Sequence, residues 1–88
     1  MIQIQIKLFG GFRKYENGND LFLLLKEESS IAEIREVFIE RMKIENSNFN
    51  ETALVFDSVF ANEENILMDT DKISQSTILA ILPPVCGG

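Results

Sequence analysis

Thr77-Ile78-Leu79-Ala80-Ile81-Leu82, followed by Pro83-Pro84-Val85-Cys86-Gly87-Gly88, is the stretch on which the fold turns. Six nearly unbroken apolar or β-favouring residues bounded by proline read as a strand, and a continuous apolar run predicts a central strand covered on both faces. The two prolines offer no backbone N–H to a neighbouring strand, so the ladder must stop at Leu82.

Outward from this strand, the other end of the chain supplies its natural neighbour. In residues 2–9, Ile2, Ile4, Ile6 and Leu8 fall on one face and Gln3, Gln5, Lys7 and Phe9 on the other, which is the period of a half-buried strand. Phe9 is the odd member, an aromatic on the polar face. Gly10-Gly11 breaks the strand, and a loop through Asn17-Gly18-Asn19 leads to a second strand over residues 21–26, close enough for antiparallel pairing.

Ser30 and Glu33 form a capping-box pattern ahead of Ile31, Ile34, Val37, Phe38 and Met42, which recur at helical spacing. The spacing predicts a helix from Ser30 to about Ile44, with Glu33, Arg35, Glu36, Glu40 and Arg41 mostly on its polar side. Residues 53–61 read as strands interrupted by a turn or bulge at Asp57-Ser58. Asn62-Glu63-Glu64-Asn65 reads as a loop, and Ile66-Leu67-Met68 as a short apolar segment of open conformation. The order is β-β-α-β-β-β, an α+β arrangement of one helix on one sheet, with the first and last strands adjacent.

With 88 residues there is room for a single domain, expected over residues 1–82, and an extended tail over 83–88. The net charge of −6 gives no basic face for phosphates or anionic membranes, so neither nucleic acid nor membrane is an expected partner. It suits encounter with a basic protein surface, or solubility alone. One cysteine, no histidine, no metal-ligand spacing and an N-terminus without a secretory pattern predict a cytoplasmic protein that binds no metal.

The tail carries the chemistry. Pro83 and Pro84 favour a stiff, extended exit. Gly87 and Gly88 make a thread without side chains, able to enter a channel closed to bulkier residues, and leave the Gly88 carboxyl sterically open. Six residues reach at most ~20–22 Å, at ~3.3–3.6 Å each, enough to enter a partner's site while the globule stays outside.

Leu8-Phe9-Gly10-Gly11-Phe12-Arg13-Lys14 and Ile81-Leu82-Pro83-Pro84-Val85-Cys86-Gly87-Gly88 together resemble the small subunit of molybdopterin synthase, the MoaD family of sulfur carriers. The resemblance spans essentially the whole chain, and its specific part is the ending. It implies a ubiquitin-like β-grasp fold, a mixed sheet of about five strands packed against one main helix. It implies that an ATP-dependent enzyme similar to ubiquitin-activating enzymes adenylates the Gly88 carboxylate and that a sulfur donor converts it to a thiocarboxylate. The loaded tail would then enter the synthase large subunit and give its sulfur to a pterin precursor in molybdenum cofactor biosynthesis.

On this resemblance Phe9, Leu82, Pro83, Pro84, Val85, Cys86 and Gly87 are partner-binding and Gly88 is the reacting residue. The carrier binds no cofactor, ATP being used by the activating partner, is no enzyme alone, and works within a hetero-oligomer. Cys86 stands where the family holds a small residue; it reads as another small residue or as a thiol able to form a mixed disulfide. Ser76-Thr77 replaces the family's Gly-Asp, and the stretch from Asn62 to Asp71 is longer than usual. The alternatives are a thiamine-pathway sulfur carrier, against which Pro83-Pro84-Val85 speaks, a ubiquitin-like modifier of proteins, and a β-grasp module that binds without covalent chemistry.

Overall fold

The computed structural model describes residues 1–18 and 20–85. Its first strand, β1 (Ile2–Leu8), buries Ile2, Ile4 and Ile6 and turns Gln3 and Lys7 outward, as the alternation predicts. Antiparallel to it lies β2 (Leu21–Leu25), with Ile4 opposite Leu23. Leu23 and Leu25 face the core while Phe22 and Leu24 face out. Between them the expected loop contains a 3-10 helix, Gly10–Tyr15, anchored by the fully buried Phe12.

A two-residue strand β3 (Ser29–Ser30) runs directly into helix α1 (Ile31–Glu45). The capping box is formed in both directions. The Ser30 hydroxyl accepts from the Glu33 N–H at 3.1 Å, and the Glu33 carboxylate accepts from the Ser30 N–H at 2.9 Å. Those bonds, the backbone one first, hold the Glu33 carboxyl below the usual carboxylate range. Ile31, Ile34, Phe38, Ile39 and Met42 lie against the sheet, and the Phe38 ring meets Phe12 and Phe60 edge to face at 5.9 and 6.1 Å.

The middle of the chain departs from expectation. Thr52–Asp57 is a short helix, α2, and only Val59–Ala61 forms strand β4. Four apolar residues, Ala53 to Phe56, are too few to distinguish a helical period from a strand. Long-range bonds decide the outcome. Arg35, expected on the polar side of α1, is buried, and its guanidinium donates to the Val55 carbonyl at 2.6 Å and the Ser58 carbonyl at 2.7 Å. A third bond reaches the Asp69 carboxylate at 2.8 Å, and the guanidinium stacks 5.3 Å from the centre of the Phe60 ring. One planar group thus staples α1 to the turn between α2 and β4, adding a second bond to the Val55 carbonyl, which already accepts from the Ser58 N–H at 3.1 Å, and one to the Ser58 carbonyl.

After β4 the chain turns through Asn62 to Asn65, where the Asn62 side chain accepts from the N–H groups of Glu64 and Asn65. Strand β5 (Ile66–Leu67) pairs with β4, and β6 (Lys72–Ile73) pairs with β3 in a separate two-stranded sheet. The last strand, β7 (Thr77–Leu82), lies parallel to β1 and antiparallel to β4. The main sheet has the order β2-β1-β7-β4-β5 with β7 at its centre. This mixed sheet with one main helix across it is the ubiquitin-like β-grasp fold.

β7 is central, but it is not covered on both faces. Leu79 and Ile81 are buried under the helix, whereas Ile78 on the opposite face is 50% exposed. The helix covers one face of the sheet and leaves the other open, so an unbroken apolar run here pairs a core face with an uncovered apolar one.

Candidate functional site

The strand register brings together residues that are far apart in sequence. Along the parallel pair β1 and β7, Leu8 lies opposite Ile81, and Phe9 continues the extended backbone of β1 with φ −130° and ψ 162°. The next step along both chains therefore sets Phe9 beside Leu82. On the other side of β7, Val59 is the partner of Leu82. Phe9, Leu82 and Val59 form one row across three strands on the open face, where β7 ends and the tail begins.

Phe9 is 43% exposed, a large aromatic outside the core, and Leu82 is half-buried. Ile78 and Ala80, at the other outward positions of β7, extend this apolar strip down the sheet. The sequence singles out Phe9 and Leu82; Val59 and Ile78 escape notice because β7 reads as covered on both faces. Alternation within Thr77–Leu82, set in register with Gln5 and Lys7 of β1, is the signal that locates them.

Beyond the row, Pro83 remains half-buried, Pro84 is exposed, and Val85 is 93% exposed. The chain thus leaves the globule within three residues of the last ladder position. Cys86, Gly87 and Gly88, to which the resemblance gives partner-binding and reacting roles, lie outside the described residues.

The 3-10 helix beside this exit is clamped from below. Tyr15 donates its hydroxyl proton to the Glu51 carboxylate at 2.5 Å, and Lys14 pairs with the other Glu51 oxygen at 2.9 Å. The Tyr15 ring meets Phe49 edge to face at 5.1 Å. The bond from Tyr15, then that from Lys14, holds the Glu51 carboxyl below the usual carboxylate range. Burial first, then the bond to Glu51 and its charge, pushes the Tyr15 phenol from 10.0 up to about 12. Since the folded Tyr15 value lies above the unfolded one, its share of the clamp's contribution is present below pH 10 and declines as the pH climbs toward 12. The Glu51 share, with its carboxyl held low, is lost at the acid end as that group takes up a proton.

Tyr15 is the one tyrosine and there is no tryptophan, so ultraviolet absorbance reads it directly. Phenolate should appear in the folded protein with a midpoint of about 12, and Glu51→Gln should lower that midpoint part of the way. A midpoint at the ordinary value of 10.0 in the native protein would mean that the clamp does not form in solution.

Among the described residues there is no group of three or more acidic, cysteine or histidine side chains placed to hold a metal ion, and no helix is long and apolar enough to cross a membrane. What the site offers is a partly exposed apolar strip next to the point where the chain leaves the sheet.

No family model matches the chain, and no curated protein matches it. Solved structures do. SAMP1 from Haloferax volcanii superposes with a TM-score of 0.68 at 12% identity, covering 98% of this chain and 99% of that one. The UBL domain of Dsk2 from Plasmodium falciparum superposes with a TM-score of 0.61 at 10% identity, covering 94% and 97%. At such identities the likeness is one of fold, and both neighbours place the chain among ubiquitin-like β-grasp structures.

Proposed function

We propose that this chain is the sulfur-carrying subunit of a molybdopterin synthase. The observation that carries the reading is the apolar row Phe9–Leu82–Val59 at the point where Pro83-Pro84-Val85 leaves the sheet. Together with the Cys86-Gly87-Gly88 sequence that follows, it supports a globule that docks by its open face and extends a slender end into its partner.

The proposed chemistry belongs to the Gly88 carboxyl. Its carboxylate oxygen attacks the α-phosphorus of ATP on an activating enzyme, forming an acyl adenylate and releasing pyrophosphate. Hydrosulfide released by a sulfur donor then attacks the activated carbonyl, the C–S bond forms as the C–O bond to AMP breaks, and AMP leaves, a far better leaving group than hydroxide. The product is a thiocarboxylate whose soft sulfur is the nucleophile passed to the pterin precursor on the large subunit. General acids, bases and oxyanion donors come from the partners, and the carrier contributes the reacting group and its placement.

The ubiquitin-like fold also accommodates a thiamine-pathway carrier, but the Pro-Pro-Val sequence at the exit favours the pterin pathway. Recovery of the native partner by a tagged carrier distinguishes the two. A pterin-synthase large subunit supports the reading, and a thiazole synthase overturns it.

Phe9→Asp tests the docking strip. Burying the exposed part of a phenylalanine is worth ~1–2 kcal/mol, and an unpaired carboxylate buried in its place adds a further desolvation cost. The affinity for the large subunit should fall at least ~10-fold, since each ~1.4 kcal/mol is a factor of ten. The tail should still be adenylated. An unchanged affinity would remove Phe9 from the interface.

A further inference from the structure

β1 and β7 run parallel, so both chains reach the same end of the sheet side by side and point the same way. One must turn aside for the other to continue. Gly10 makes that turn with φ +57°, in the left-handed region that glycine enters without steric cost. The Pro83 ring packs directly on its backbone. A Cβ built on Gly10 would lie 2.6 Å from Pro83 Cγ and 3.4 Å from Cδ, where ordinary carbon contacts need ~3.5–4.0 Å.

Gly10 is held there from both sides. Phe9 precedes it in the apolar row, and its carbonyl accepts from the Phe12 N–H at 3.1 Å. Behind it, buried Phe12 and the clamp of Lys14 and Tyr15 on Glu51 fix the 3-10 helix. We infer that Gly10 is a positioning residue: its bare backbone seats the Pro83 ring and so sets the direction in which the tail leaves the sheet. The geometry stands alone, while its consequence for sulfur loading rests on the carrier reading proposed above.

A partner reaching for the end of a thin chain needs that chain aimed, and proline stiffness carries an error at residue 83 outward rather than absorbing it. A displacement of ~1 Å at a reacting group costs on the order of 10²-fold in rate.

The test uses the full chain with a nitroxide on Cys86, its one cysteine, and reads which backbone amides the label broadens in the NMR spectrum. Gly10→Asn tolerates the left-handed backbone but adds the Cβ. Gly18→Asn is the control, for Gly18 has φ +86° and nothing within 4 Å of an added Cβ. Pro83→Ala removes Cγ and Cδ and leaves only Cβ, 4.0 Å from the built atom. It also serves alone should Gly10→Asn fail to fold.

The expected result is a changed broadening pattern in Gly10→Asn and in Pro83→Ala and no change in Gly18→Asn. In the Pro83→Ala background, Gly10→Asn should have no further effect, because the two share one contact. With an activating enzyme, Gly10→Asn should lower kcat for adenylation on the order of 10²-fold while KM changes less than ~3-fold, since the folded globule is kept and only the aim of the tail changes. The same pattern in the wild type and in both Gly10→Asn and Pro83→Ala, or equal effects of Gly10→Asn with and without the Pro83 ring, overturns the inference. Should no activating enzyme adenylate the wild type, the carrier reading fails, and the label pattern alone still decides the role of Gly10.

Discussion

Removing Gly88 is expected to abolish sulfur loading while leaving the folded globule and its docking strip intact. The deletion shifts the terminal carboxyl back by one residue, ~3.3–3.6 Å of extended chain. That shift equals the whole approach distance of a productive encounter, ~3–3.5 Å, so a carboxyl bound in register with Gly88 no longer reaches the α-phosphorus. The core as described, residues 1–18 and 20–85, is complete without Gly88: the central strand ends at Leu82 and Val85 already stands in solvent. The expected outcome is no acyl adenylate by pyrophosphate release, with the thermal midpoint unchanged and the large subunit still bound. Loading of the shortened chain at the wild-type rate would show that the partner does not read the position of the last residue.

The second large effect concerns stability. Arg35→Met should cost ~2–4 kcal/mol, a considerable part of the ~5–15 kcal/mol available to a small domain. The charged hydrogen bonds to the Val55 and Ser58 carbonyls dominate, at ~1.5–3 kcal/mol each, with a smaller share from the ring of Phe60. The gain from no longer burying a cation offsets part of the loss. The Asp69 pair adds little, because that carboxylate's side chain is 61% exposed, and Asp69→Asn should cost under ~1 kcal/mol. Urea unfolding followed by circular dichroism measures both. A loss below ~1 kcal/mol in Arg35→Met would mean that the turn between α2 and β4 holds itself.

That same arginine explains where sequence reading stops. β1, β2, α1 and β7 are legible because each announces itself locally. Ile2, Ile4 and Ile6 alternate, Ser30 and Glu33 cap, and prolines close Thr77–Leu82. Helix α2 is not legible, since its four-residue apolar run fits either period and its conformation is fixed by Arg35, twenty positions away from Val55. The guanidinium itself reads as a surface charge until its partners arrive from other elements. β5 and β6, two residues each, are below the length at which any pattern shows.

The candidate site divides in the same way. Phe9 is visible as an aromatic on the wrong face of an alternating strand, and Leu82 as the residue at the base of the tail. Gly10 is visible only as a strand breaker. Its contact with Pro83 joins positions 73 apart and exists because two parallel strands end together, a fact of topology that no local pattern encodes. The open face of β7 is hidden for a related reason, since Ile78 and Leu79 look alike in sequence and differ only in what the helix covers.

The most direct measurement of the central claim is the intact mass of the wild-type chain after incubation with an activating enzyme, ATP and a sulfur source. A carrier gains the mass difference between one sulfur and one oxygen, placed by fragmentation on Gly88 and lost on transfer to the pterin precursor. An unchanged mass, under conditions in which an authentic carrier is fully loaded, would contradict the account and leave a β-grasp module that only binds.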